Sequence, residues 1–301
     1  MTEVVKAAED RLLSYEERGV PTGDPVFLLH GTPGSRLGPR PRSGLLYRLG
    51  VRLITYDRPG YGQSDSHIGR RVADCAEDVQ VIADTLGLKK FAVVGRSGGG
   101  PHALACAALL GDRVTRAAAL VSLAPRDAEG LEWFAGMTES NIAEYTAALQ
   151  GRTHLIERLR ATADEIKANP VRLIASLYSE LPKPDRRVVS DTGIRRMLEE
   201  NYAEALRRSA DGWADDAVAF ARPWGFDPAD ITVPVLLWHG AEDVFSPISH
   251  SLWLADRIPT ASLTLKTGVA HFGALDALPK ILPWLTGRSQ SPRPVTGVYQ
   301  G

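Results

Sequence analysis

Three side chains with complementary chemistry, Ser97, Asp243 and His271, stand in glycine-rich loops of this 301-residue chain. Ser97 occupies the centre of Gly95-Arg96-Ser97-Gly98-Gly99, a G-x-S-x-G pattern. An apolar, β-prone run (91–94) precedes it and a helix-forming run (101–110) follows at once. A sharp strand-to-helix turn of this kind lifts a serine hydroxyl clear of a sheet edge and aims helix N–H groups at it. A serine hydroxyl is a weak nucleophile, so it needs a base for its proton and a third group to hold that base. His271 in Gly268-Val269-Ala270-His271-Phe272-Gly273 suits the first role, and Asp243 in His239-Gly240-Ala241-Glu242-Asp243 the second. The order Ser, Asp, His is that of one known nucleophile–acid–base arrangement. In it the imidazole serves as general base and then general acid, while the carboxylate fixes its tautomer.

Cleavage of an acyl bond also needs donors for the developing oxyanion, each worth about 3 kcal/mol in the transition state. The N–H of Gly98 is one candidate and the N–H of Thr32, in His30-Gly31-Thr32-Pro33-Gly34, is the other; Pro33 has no N–H to offer. Competing residues have plainer readings. His67, His154 and His250 read as surface residues, His30 and His239 as loop braces, and His102 as an elbow-helix residue pointing away from Ser97. Glu242 and Asp127 are alternatives to Asp243 as the acid. Arg96 reads as the partner of an acid such as Asp215 or Asp216, with contact to a substrate carboxylate as the alternative.

Buried strands must position these loops. Short unbroken apolar runs at 26–30, 51–56, 91–94, 117–123, 233–238 and 261–265 alternate with helical patterns, and 12–19 is expected to be a short edge strand. Such alternation predicts a mostly parallel sheet with right-handed crossovers, with binding chemistry at the carboxyl ends of its strands. Helical periodicity covers Val72, Cys75, Val79, Ile82 and Leu86, with Gly87 to end it. From 127 to 226 the rhythm changes to helices alone, broken at Gly151, Pro170, Pro182 to Pro184, Gly212 and Pro223. This predicts a core of 1–126 and 227–286 carrying a helical cap over 127–226, with a Pro- and Gly-rich tail, 287–301, expected to be disordered. Trp133, Phe134 and Met137, just past the active edge, are candidates for the substrate pocket.

A formal net charge of −1 makes no case for nucleic acid or an anionic membrane surface. Without an apolar leader or a run long enough to span a bilayer, a cytoplasmic protein acting on a small molecule is expected. Cys75 and Cys106 read as small core residues rather than a disulfide or metal site. No dinucleotide fingerprint, phosphate loop or metal cluster is evident, so no cofactor is expected.

In order, HGTPG, DRPGYGQS, GRSGGG, HGAEDVFSP and GVAHFG resemble the α/β-hydrolase superfamily over roughly residues 12–286. The branch they most resemble is that of H-G-x-P-G ester hydrolases and proline-iminopeptidase-like proteins. This resemblance implies an eight-stranded, mostly parallel sheet with a helical lid entering after the sixth strand. It also implies a Ser97–His271–Asp243 triad, an oxyanion hole at Thr32 and Gly98, and hydrolysis of a carboxylic ester or lactone of a small apolar molecule. An aminopeptidase, with a lid carboxylate such as Glu129, Glu132, Asp215 or Asp216 for the free amine, is the alternative, as is a silent ligand-binding protein. Departures are visible: proline iminopeptidases usually carry G-G-S-W-G at the elbow and glycine in place of Thr32. Relatives that use an aspartate where Ser97 stands, or methionine at the place of Gly98, are disfavoured.

Overall fold

The computed structural model describes residues 2–289. Eight strands, β1 (Thr2–Lys6), β2 (Leu12–Gly19), β3 (Asp24–Leu29), β4 (Val51–Tyr56), β5 (Phe91–Arg96), β6 (Val114–Leu120), β7 (Val235–Gly240) and β8 (Ala261–Lys266), form one sheet. Their spatial order is β1-β2-β4-β3-β5-β6-β7-β8. The two pairings that involve β2 are antiparallel and the rest are parallel. The strand at 12–19 is not the edge: β1 pairs outside it, and Val5 and Ala7 bury against the core while Val4 faces solvent. A five-residue strand with one buried residue carries too little apolar alternation to stand out in the sequence.

Strands covered on both faces serve two cores at once. In β3, Phe27 and Leu29 join one hydrophobic cluster, and Val26 and Leu28 join the other. This two-residue period is the geometry of a pleated strand. Helices α1 (Ser43–Leu49) and α11 (Ala274–Leu285) close the second cluster; α2 (Cys75–Thr85), α3 (Gly99–Leu109) and α10 (Ile248–Arg257) pack on the first. Cys75 and Cys106 are buried and unbridged.

Between β6 and β7 come six helices: α4 (Glu139–Gln150), α5 (Arg152–Ala168), α6 (Val171–Leu177), α7 (Lys183–Ser190), α8 (Thr192–Ala205) and α9 (Asp211–Phe220). They form the inserted lid. Gly212 does not break a helix but lies in the first turn of α9, where a Cβ would fall 2.6 Å from the Tyr61 ring. Of the expected tail, residues 290–301 lie outside the described residues, whereas Arg288 ion-pairs with Asp24 at 2.6 Å.

One lid carboxylate ties this insertion to the sheet's active edge. Asp216 of α9 is fully buried and accepts from Arg58 Nη2 at 2.5 Å, Thr32 Oγ1 at 2.5 Å and Tyr61 OH at 2.9 Å. Arg70 Nη2 approaches it at 2.7 Å and His102 Nε2 at 3.4 Å. Burial alone would push this carboxyl up, but Arg58 and Arg70 more than reverse that and hold it well below the usual carboxylate range. Arg58 also donates to the carbonyls of His30 and Gly31, so the same cluster fixes the loop after β3.

Removing one member of a buried ion cluster leaves opposite charges uncompensated and costs about 3–5 kcal/mol. Asp216→Asn is therefore expected to lower the urea unfolding free energy by that amount. An unchanged or raised midpoint would show that the cluster contributes no net stability.

Candidate active site

The turn after β5 puts Ser97 at φ 55°, a left-handed conformation that a non-glycine residue adopts only when its surroundings enforce it. Its N–H donates to Leu120 O at 2.9 Å and its carbonyl accepts from Gly100 N at 2.7 Å. Such a tight reversal leaves no space at Gly95, where a Cβ would fall 1.9 Å from Gly99 O. At Gly98 a Cβ would fall 2.2 Å from Thr32 Oγ1. The bare backbone of Gly98 is what lets the elbow meet the loop after β3, bringing the two candidate oxyanion residues side by side.

Asp243 and His271 meet at the ends of β7 and β8. His271 Nδ1 lies 2.8 Å from Asp243 Oδ2, and both residues are buried. Asp243 Oδ1 accepts from the backbone N–H groups of Phe245 (2.8 Å) and Ser246 (3.0 Å), which fixes the carboxylate plane. Burial works to raise its carboxyl, yet the facing His271 and His239 hold it below the usual range, so it is an anion beside the imidazole. His239, expected as a brace, bridges Ser251 Oγ and Ser246 O and stands 3.3 Å from Asp243. His30 likewise accepts from Arg58 N at 3.1 Å, and His102 turns toward Asp216.

Sequence reading missed the group that holds the His271 backbone. Asp185, buried in lid helix α7, accepts from the N–H groups of His271 (3.1 Å) and Phe272 (2.8 Å). Burial raises its carboxyl to about 6. No local motif marks this residue; only the packing of α7 on the loop after β8 reveals it.

Ser97, His271, Gly98 and Thr32 all face one cavity of about 410 Å³. Arg96, Phe245 and Phe272 of the core also line it, and the lid contributes Glu144 and Tyr145 of α4, Arg158 of α5, Tyr202 of α8 and Trp213 of α9. Trp133, Phe134 and Met137 do not line it. Trp133 is buried behind the wall, donates to Ala124 O at 2.9 Å and meets Phe134, Tyr145 and His250 edge-on. His250 is not a surface residue either: its Nδ1 accepts from Ala124 N and its Nε2 lies 3.0 Å from Trp133 O. Burial lowers it to about 4, so it is a neutral brace. Glu129 and Glu132 are exposed and off the cavity. Neither Asp215 nor Asp216 pairs with Arg96; Asp215 is taken by Arg152 at 2.5 Å, Asp216 by Arg58 and Arg70.

Among the described residues no group of three or more His, Cys, Asp or Glu side chains could hold a metal ion, and no helix is long and apolar enough to cross a membrane. A strained serine, a carboxylate-oriented histidine and a walled cavity can support nucleophilic acyl transfer.

Comparison with known proteins agrees with this architecture. A Caulobacter sp. (strain K31) protein provisionally named carbamate hydrolase RutD is 28% identical over 274 residues, covering 86% of this chain and 88% of that one. A proline iminopeptidase of Xylella fastidiosa (strain 9a5c) is 25% identical over 292 residues, covering 87% and 88%. A solved bromoperoxidase from Bacillus anthracis superposes with a TM-score of 0.71 at 22% identity, over 95% of this chain and 100% of that one, which is a likeness of fold alone. The family model for the alpha/beta hydrolase fold matches residues 24–278. By that match, the chain belongs to the α/β-hydrolase family.

Proposed function

We propose that this hydrolase cleaves a carboxylic ester or lactone of a small molecule through an acyl-enzyme on Ser97. The observation that carries the reading is the 2.8 Å contact of His271 with an ionised Asp243, on the same cavity as a serine held at φ 55°. In this scheme Ser97 Oγ attacks the scissile carbonyl and His271 Nε2 takes its proton. The tetrahedral oxyanion is received by the N–H groups of Gly98 and Thr32. His271 then protonates the leaving alcohol, and water repeats the sequence on the acyl-enzyme. Asp243 holds the imidazole in one tautomer and stabilises its charged form. Asp216 and Asp185 take positioning roles, the first on Thr32 and the second on the His271 backbone. The core of 1–126 and 227–286 supplies the chemistry in this scheme, and the cap over 127–226 covers the pocket.

Ester cleavage suits the charge of the cavity, whose wall carries two arginines, Arg96 and Arg158, against one acid, Glu144. Ser97→Ala is expected to lose p-nitrophenyl ester turnover by at least about a thousandfold, and to lose labelling by a fluorophosphonate. Retained turnover and labelling in that variant would remove the proposal.

A second reading, the aminopeptidase, is favoured by Glu144 itself and by relatives named proline iminopeptidase. Glu144 faces the cavity, and burial raises its carboxyl to about 7. Such a group is ionised above that pH, whereas a substrate α-amine loses its charge near 8. An amino-acyl arylamide would therefore bind best between about 7 and 8, with KM rising on either side, and Glu144→Gln would flatten the profile. Absence of arylamide cleavage, with ester cleavage intact, would exclude this reading.

A further inference from the structure

Arg96 is a buried cation whose side chain has no ion-pair partner among the described residues. It ends β5, one residue before Ser97, and is only 8% exposed. It lines the same cavity as Ser97, His271 and Tyr202, and also a smaller one beside His30 and Gly38. A Cβ built on Gly31 would lie 3.6 Å from Arg96 Nη2, which places the guanidinium against the loop that carries Thr32. Among the described residues it makes no hydrogen bond and no ion pair through its side chain. The acids around it are committed elsewhere. Asp185, which exerts a Coulombic pull on it, accepts from the His271 and Phe272 amides. Glu144, the acid on the cavity wall, accepts from Trp213 Nε1 at 2.9 Å.

Beside Arg96 stands Tyr202 of α8, buried, on the same cavity wall, and also without a side-chain hydrogen bond among the described residues. The two interact electrostatically, the arginine favouring the ionised phenol. Desolvation lowers the guanidinium below its ordinary value, the expected response of a charge removed from water without a partner. Buried charges are ordinarily paired, and one left unpaired is costly. A guanidinium presents a planar fork of donors matched to a carboxylate, and a phenol adds one more. A cation and a hydroxyl without side-chain hydrogen bonds among the described residues, both lining the cavity beside the serine, suit an anion that arrives with the substrate.

We propose that Arg96, assisted by Tyr202, binds a carboxylate on the substrate, so that the preferred substrate is a monoester of a dicarboxylic acid or a lactone bearing a free carboxylate. The inference rests on the ester-hydrolase reading for its chemistry, but its binding claim is separable from it. The guanidinium would anchor the carboxylate and set the scissile carbonyl against Ser97, leaving the neutral alcohol side toward the lid. Binding pays back the desolvation already imposed on Arg96. The preference should therefore fall mainly on KM.

The test separates binding from catalysis. Calorimetry on the full-length Ser97→Ala chain would compare monomethyl glutarate with dimethyl glutarate. The monoanion is expected to bind more tightly by about tenfold to a hundredfold, the range for hydrogen bonds to a charged group. Adding Arg96→Met, which keeps length and apolar bulk, is expected to erase that preference, Arg96→Lys to keep part of it, and Tyr202→Phe to reduce it severalfold. Should Arg96→Met fail to fold, the two-ligand comparison in Ser97→Ala and the Tyr202→Phe variant still decide. Equal affinity for the two ligands, no detectable binding of the monoanion, or a preference untouched by Arg96→Met would overturn the proposal. Turnover of the same two esters by the wild-type chain reads the hydrolase claim: hydrolysis of neither would sink that reading, while the calorimetric comparison still judges Arg96.

Discussion

The structure depends on a single buried carboxylate. Asp216 sits on a lid helix, yet every group around it belongs to the core: Arg58 and Tyr61 from the loop after β4, Arg70 ahead of α2, His102 on α3, and Thr32 on the loop after β3. Two cations and one anion in a buried site interact strongly, and the hydrogen bonds around them leave little freedom of position. The lid therefore docks in one place. Because Arg58 also grips the carbonyls of His30 and Gly31, docking the lid and shaping the proposed oxyanion loop are one event.

A second lid carboxylate repeats this logic on the other side of the cavity. Asp185 reaches down to the backbone of His271 and Phe272, while Asp243 orients the imidazole from the core. These two lid acids, Asp216 and Asp185, brace the active edge. What the cavity is left with is a cationic wall at Arg96 and Arg158 and one carboxyl poised near neutrality, Glu144. Specificity on this account is a matter of which of these charges the substrate answers.

Much of this was legible in the sequence because chemistry at the ends of parallel strands leaves local marks. A glycine-flanked serine between a strand and a helix, and loops that follow apolar runs, locate Ser97, Asp243 and His271 without any knowledge of the sheet. The inserted helices were equally plain from the loss of strand-like runs after β6. Strand β1 was not, since one buried residue in five makes no pattern. Nor was the facing of the lid. Helical periodicity separates a buried side from an exposed one, but Trp133 is buried on the core and Tyr202 on the cavity, and the two look alike in sequence. Partners 158 residues apart, as Arg58 and Asp216 are, share no local signal at all. Gly98 gained a reason that sequence reading did not supply: its missing side chain is the space that Thr32 occupies.

The central claim is that Ser97 becomes acylated. Rapid-quench mass spectrometry of the wild-type chain with a slowly deacylating aryl ester, followed by proteolytic mapping, tests it most directly. The account predicts a transient mass increase equal to the acyl group, confined to the peptide containing Ser97, and its disappearance as the ester is consumed. Turnover with no covalent adduct, or an adduct on another residue, would contradict it.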